Sequence, residues 1–312
     1  MFTSTETAHS DNARGEGATP DHQKISFTAK LVALGRSFTT LPFAKDVSEL
    51  VGALALSEEL ARDSGFTLSD LMAPSVEARY QSLVHAIKRS GVRQVLEFAS
   101  GVSLRGLAMT LDDPGLIYVE TDLPDLTSEK QRIMETILTR HQLPEPDNYH
   151  VFVTNILSWD EVERALAPFA PDEPIAVVHE GLYMYLNRAE KELGLQHIKR
   201  VLARFGGVWI TPDFTPMADM ARVFHGTSTD FAPMMAAIEA RTGRNFAAHS
   251  FVSEAEAREF CRAQGFEVEE RPQLDGSYEL SSLTPAQRDD GTLGHLQAGL
   301  KIWEMRLKAT PR

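Results

Sequence analysis

Residues Val95 to Gly106 read VLEFASGVSLRG: a short apolar run with one acid inside it, a turn of small residues with a single glycine, then a second apolar stretch. Three readings compete. The stretch is a depleted dinucleotide loop, a loop for another ligand, or merely a strand turning into a helix. Its neighbours narrow the choice. VRQVLEF is followed by LRGLAMTL, GLIYVETD by LTSEKQRIMETILTRHQL, YHVFVTN by SWDEVERALAPF, EPIAVVHEGLYMYL by NRAEKELGLQHIKRVLARF, and GGVWITPDF closes the series. Five β-rich runs separated by helical periodicity predict a parallel sheet covered on both faces, because parallel strands need crossover helices and become buried on two sides.

Upstream, SFTAKLVALGRSF, FAKDVSELVGAL and SVEARYQSLVHAIKRSG space apolar residues by three and four, which predicts helices, the last ending in basic residues and a Gly91 cap. Downstream, SEAEAREFCRAQ predicts a helix with Ser253 and Glu256 as a capping box, closed by Gly265 before the alternating strand FEVEERP. GLKIWEMRLK alternates as well: Trp303, Met305 and Leu307 share one face, and Ile302, Glu304 and Arg306 the other. A strand there, in preference to a short terminal helix, completes a seven-stranded sheet with its last strand reversed. The expected organisation is a flexible tail over 1–23, a helical cap over 24–90 and a Rossmann-like core over 91–312.

Composition limits the function. The chain has 312 residues, 43% of them hydrophobic, enough for a substantial core. A formal net charge of -13 disfavours a nucleic-acid binder, which presents clustered cations to the phosphate backbone. The single cysteine, Cys261, supports neither a disulfide framework nor a cysteine-rich metal site. Without a secretory leader pattern or an apolar stretch of roughly 18 residues, a cytoplasmic protein with no membrane span is expected.

In open parallel sheets, ligands sit beyond the carboxyl ends of the strands. There the first loop places Ala99, Ser100 and Gly101, small enough for close backbone approach. The G-x-G-x-x-G fingerprint is absent, since Ala99 and Ser103 occupy positions where glycines would be expected. The second strand ends in Glu120 and Asp122, at the offset where an acid grips ribose hydroxyls. Ribose recognition without a diphosphate cradle therefore fits best. Glu180, after the buried run of the fourth strand, needs a cation or donors, which an ammonium or sulfonium ligand, a salt bridge or a helix cap would each supply.

VLEFASG, VETDLPDL followed by Lys130, HEGLYMYL and GGVWITPDF together resemble the S-adenosylmethionine-dependent methyltransferases of the leucine carboxyl methyltransferase family, including its bacterial polyketide-type O-methyltransferase branch. KISFTAKLVALGRSFTTLPFAKDVSELVG looks like the helical cap of the bacterial members, so the resemblance runs from about Lys24 to the C-terminus. It implies a class I methyltransferase sheet of order 3-2-1-4-5-7-6 and S-adenosyl-L-methionine as cofactor. It further implies that Arg79 holds the cofactor carboxylate, that Ser100 and Gly101 lie against it, and that Asp122 binds the ribose with Glu120 as the alternative acid. Glu180 would meet the methionine ammonium. Asn155 and Ile156 depart from the family's acid–leucine pair at the adenine, although an asparagine amide can still pair with an adenine edge.

The implied activity is methyl transfer to a carboxylate or hydroxyl of a polyketide-like small molecule, with no metal. A carboxylate acceptor needs no general base, whereas a hydroxyl is helped by one. Tyr183 and Asp213 are the leading candidates near the transfer, with His179, Tyr185 and His225 behind them; an isolated histidine on an apolar strand more often packs into the sheet, and that is the favoured reading of His179. Met217, Met220, Phe224, Phe231, Met234 and Met235 suggest an adaptable apolar wall. Three alternatives remain: carboxyl methylation of a protein C-terminus, an NAD-dependent dehydrogenase, which should show the missing glycine-rich turn, and a non-catalytic nucleoside-binding protein.

Overall fold

The computed structural model describes residues 22–64, 72–223, 235–236, 238–240, 243, 245–289 and 292–308. Nearly all of the expected tail lies outside them, and the first helix already begins at His22. Four helices come first: α1 (His22–Ser37), α2 (Ala44–Leu50), α3 (Ala53–Ser64) and α4 (Met72–Ser90). Strands and helices then alternate through β1 (Gln94–Phe98), α5 (Arg105–Asp112), β2 (Ile117–Asp122), α6 (Pro124–His141), β3 (Tyr149–Val153), α7 (Trp159–Ala165), β4 (Ile175–His179), α8 (Arg188–Phe205) and β5 (Gly207–Thr211). After several short helices, β6 (Phe266–Pro272) and β7 (Lys301–Leu307) complete the sheet.

The strand order is β3-β2-β1-β4-β5-β7-β6, with β7 antiparallel to both β5 and β6. This is the class I methyltransferase arrangement. Alternation along the strands divides the core: Val95, Tyr118, Val178 and Ile210 pack with α4, α5 and α6, while Leu96, Val119, Val177 and Trp209 pack with α7 and α8. The period-two reading of the last strand holds. Trp303 and Met305 enter the second cluster and Ile302 the first, while Glu304, 3% exposed, is paired with Arg89. The helix over Glu254–Ala263 is capped by the Ser253 hydroxyl, and Gly265 takes φ +91° before β6.

Two backbone details set the first loop. Ala99 and Gly101 both adopt left-handed conformations, at φ +52° and +57°. Glycine tolerates that region without cost, whereas alanine does not. Gly106, at the start of α5, is required by space: a Cβ there would lie 2.6 Å from the Tyr118 ring and 2.8 Å from the Glu120 carboxylate. Its absence of a side chain lets α5 seat directly on β2.

Candidate functional site

A cavity of about 380 Å³ opens at the carboxyl ends of β1 to β5, roofed by α1 through Thr28, Ala29, Leu31, Val32 and Arg36. Eight of the ten residues singled out from sequence bear on it directly: Arg79, Ser100, Gly101, Asp122, Asn155, Ile156, Glu180 and Asp213 all line it. Tyr183 lines it as well, although its hydroxyl serves a different environment. Glu120 does not reach it.

Glu120 is fully buried beneath the loop. Its carboxylate accepts from Lys130 Nζ, from the Tyr149 hydroxyl at 2.7 Å and from the Gly106 amide at 2.7 Å. Lys130 in turn donates to Ser100 Oγ at 2.6 Å, so this acid and lysine form a pillar supporting the loop from below. The alternative ribose role for Glu120 is thereby removed. Asp122, at the end of the same strand, faces the cavity and clamps two loops, accepting from Gly101 N at 2.7 Å and Leu123 N at 2.8 Å. Burial raises its pKa despite those two amides. Each oxygen retains a lone pair for a further donor.

At the centre, Glu180 gathers three arginines. Arg36 donates to both oxygens at 2.8 and 2.9 Å, Arg105 donates to one at 2.9 Å, and Arg79 Nε stands 3.4 Å away, an ion pair without hydrogen-bond geometry. Burial pushes the Glu180 carboxyl up, but Arg36, Arg105 and Arg79 outweigh it and hold it at about 2. The carboxylate expected to meet a ligand ammonium is therefore engaged by guanidiniums. Arg105 also pairs with Glu97, the acid inside the opening stretch, at 2.7 Å, and lies 4.8 Å from the Tyr80 ring centroid. Three guanidiniums thus face two carboxylates, Glu180 and Glu97. The surplus positive charge lies toward Arg79, whose guanidinium makes no hydrogen bond among the described residues and borders the cavity.

Asp213 is not free to act as a base. It accepts from His179 Nδ1 at 2.8 Å and from the backbone amides of Gly181, Leu182 and Tyr183 at 2.7, 2.8 and 3.1 Å. Burial raises its pKa, yet His179 and those amides carry it below the usual value. It organises the turn after β4. Tyr183 stacks on His179 with centroids 4.6 Å apart, and its buried hydroxyl has no hydrogen-bond partner among the described residues; burial first, then Cys261 and Asp213, drive its pKa well up. That hydroxyl is a packing group, which corrects the catalytic expectation. The Tyr185 hydroxyl bonds Thr28 Oγ1 at 2.5 Å, tying α1 to the same turn. His225, Phe224, Phe231 and Met234 lie outside the described residues.

Arg36 and Arg105 were not signalled by the sequence, and Glu97 stood out only as an acid inside an apolar run. Arg36 sits on a helix with no local motif, and Arg105 looks like an ordinary first-turn residue until its 1% exposure is seen.

The fold and cavity define a class I methyltransferase architecture. The family model described as Leucine carboxyl methyltransferase matches residues 55–199, and together with the sheet order the similarity is to S-adenosylmethionine-dependent methyltransferases. A DUF574 family protein from Streptomyces avermitilis superposes with TM-score 0.56 at 13% identity, over 90% of this chain and 97% of its own. A protein of Thermobifida fusca, provisionally assigned as a methyltransferase, gives 0.52 at 14% identity over 85% and 94%. No curated protein matches the chain in sequence. Among the described residues, no helix is long and apolar enough to cross a membrane.

Proposed function

We propose that the cavity binds S-adenosyl-L-methionine and that the protein methylates an oxygen of an apolar small molecule. The observation that carries this reading is the mixed lining of the cavity. It combines the surplus guanidinium of Arg79, Gly101 and Asp122 with the apolar side chains of Met184, Met217, Met220 and Met235.

The residues present fit the cofactor. Arg79 offers a planar fork to a carboxylate. Asp122 retains acceptor capacity for ribose hydroxyls. The Asn155 side-chain oxygen is used by the Leu157 amide at 3.0 Å, which leaves its NH₂ as the donor for an adenine edge. Ser103 Oγ and Thr154 Oγ1 are buried hydroxyls of cavity residues with no partner among the described residues, and a polar ligand would satisfy them. When bound, S-adenosylmethionine supplies a methyl carbon already made electrophilic by its sulfonium, so the chain's task is alignment and exclusion of water. No residue at the turn after β4 is placed to remove a proton, which favours an acceptor oxygen that arrives ionised.

Calorimetry with S-adenosylhomocysteine and NAD tests the reading. Binding of the first and not the second is expected, weakened roughly 10- to 100-fold by Arg79→Ala, the loss of one charge-assisted contact of about 1.5 to 3 kcal/mol. Heat with NAD alone would sink it.

A further inference from the structure

Lys191 stands in the first turn of α8, 2% exposed, and borders the cavity. Its ammonium donates to two neutral backbone carbonyls, Leu186 O and His249 O, the latter at 2.6 Å. Among the described residues no carboxylate pairs with it. The acid that acts on it most strongly, Asp213, has its oxygens taken by His179 and three backbone amides. The contrast with Lys130 is informative, because that lysine is equally buried but spends its charge on Glu120 inside the core.

A buried cation without a counter-anion is expensive, and one at a helix N-terminus also opposes the helix dipole. Burial pulls the Lys191 ammonium down to about 8, partly offset by Asp213. An anion arriving from the cavity would relieve both penalties. The position suits an acceptor. Leu186, His249, Phe251 and Asp213 around Lys191 belong to the segments following β4 and β5, whereas Gly101, Asp122 and Asn155 lie at the ends of β1 to β3.

We propose that Lys191 sets acceptor specificity by receiving an anionic oxygen in the part of the cavity bordered by Leu186 and Phe251, so that the acceptor is an apolar molecule carrying a carboxylate or an ionised phenol. This rests on the cofactor reading above. The probes are 2-naphthoate and 2-naphthalenemethanol, equal in ring system and different in charge, titrated at pH 7 into the full chain saturated with S-adenosylhomocysteine. The wild type should bind the naphthoate at least tenfold more tightly. Lys191→Met should erase that preference while S-adenosylhomocysteine affinity is kept, and Lys191→Arg should retain most of it. Equal binding of the two probes, binding of neither, or a preference surviving in Lys191→Met would overturn the proposal with the cofactor reading intact. Failure of the wild type to bind S-adenosylhomocysteine at all would remove both.

Discussion

Arg36 and Glu180, 144 residues apart, meet in a fork in which one guanidinium nitrogen reaches both carboxylate oxygens at 2.8 and 2.9 Å. The contact fastens α1 over the cavity, with the Thr28–Tyr185 hydrogen bond and the 3.1 Å Lys30–Glu129 ion pair as further polar ties beside the packing of Phe27, Leu31 and Leu34. Replacing Arg36 by methionine removes the first, together with the guanidinium's contact with the Tyr80 ring, and leaves the other two. The loss of about 1.5 to 3 kcal/mol should raise the locally opened population of α1 roughly 10- to 100-fold. Limited proteolysis should then cut within residues 22–37 correspondingly faster, with the global melting temperature little changed. Equal cutting rates would mean that the other ties hold the helix alone.

Glu180 should make stability depend on acid. Its folded pKa of about 2 lies below the usual 4.5, so its stabilisation is fully present above about pH 4.5 and is lost as pH falls through 2. The difference corresponds to about 3 kcal/mol. Glu180→Gln should therefore be less stable than the wild type by about that amount at pH 7, having left three guanidiniums without this counter-charge. Urea denaturation at pH 7, 4 and 3 should show the gap shrinking. A gap constant with pH would assign the loss to packing.

The same cluster marks the boundary of what the sequence discloses. All seven strands were legible, because their apolar runs and alternation depend on near neighbours. Glu120 and Asp122 were not separable: two residues apart on one strand, they share a face, and only depth distinguishes them. The helix α5, admitted by Gly106, covers the first and leaves the second at the rim. Arg36 and Arg105 reach Glu180 through tertiary packing across 144 and 75 residues, and no local spacing encodes that meeting. Tyr183 lies on a single 3-10 turn, Tyr183–Tyr185, too short for periodicity to say which way its hydroxyl points.

Gly106→Ala tests the seating of α5. The added methyl would lie 2.6 Å from Tyr118 and 2.8 Å from both Glu120 and Tyr149, all buried. Overpacking of this kind should cost about 1 to 3 kcal/mol and disturb the pillar under the loop. Gly294→Ala is the control, since a Cβ there meets nothing within 4 Å and the residue is in the helix Thr292–Gly299. It should be neutral or stabilising by about 0.5 to 1 kcal/mol. Equal melting temperatures for the two variants would show that α5 adjusts without strain.

Asp213 is best tested as an organiser of backbone. An asparagine in its place keeps one acceptor oxygen and turns the other position into a donor, which then confronts amides that the carboxylate used to accept from. The carboxylate serves four donors, the amides of Gly181, Leu182 and Tyr183 and the His179 ring. Asp213→Asn should lose about 1 to 3 kcal/mol of local stability. Amide exchange at Gly181 to Tyr183 should accelerate at least tenfold by mass spectrometry, while β1 and β2 keep their protection. Because its pKa already lies below the ordinary carboxylate value, Asp213 is a poor proton acceptor near neutrality, and no change in protonation accompanies the loss. Unaltered exchange across that turn would return Asp213 to the list of residues free to act on a bound molecule.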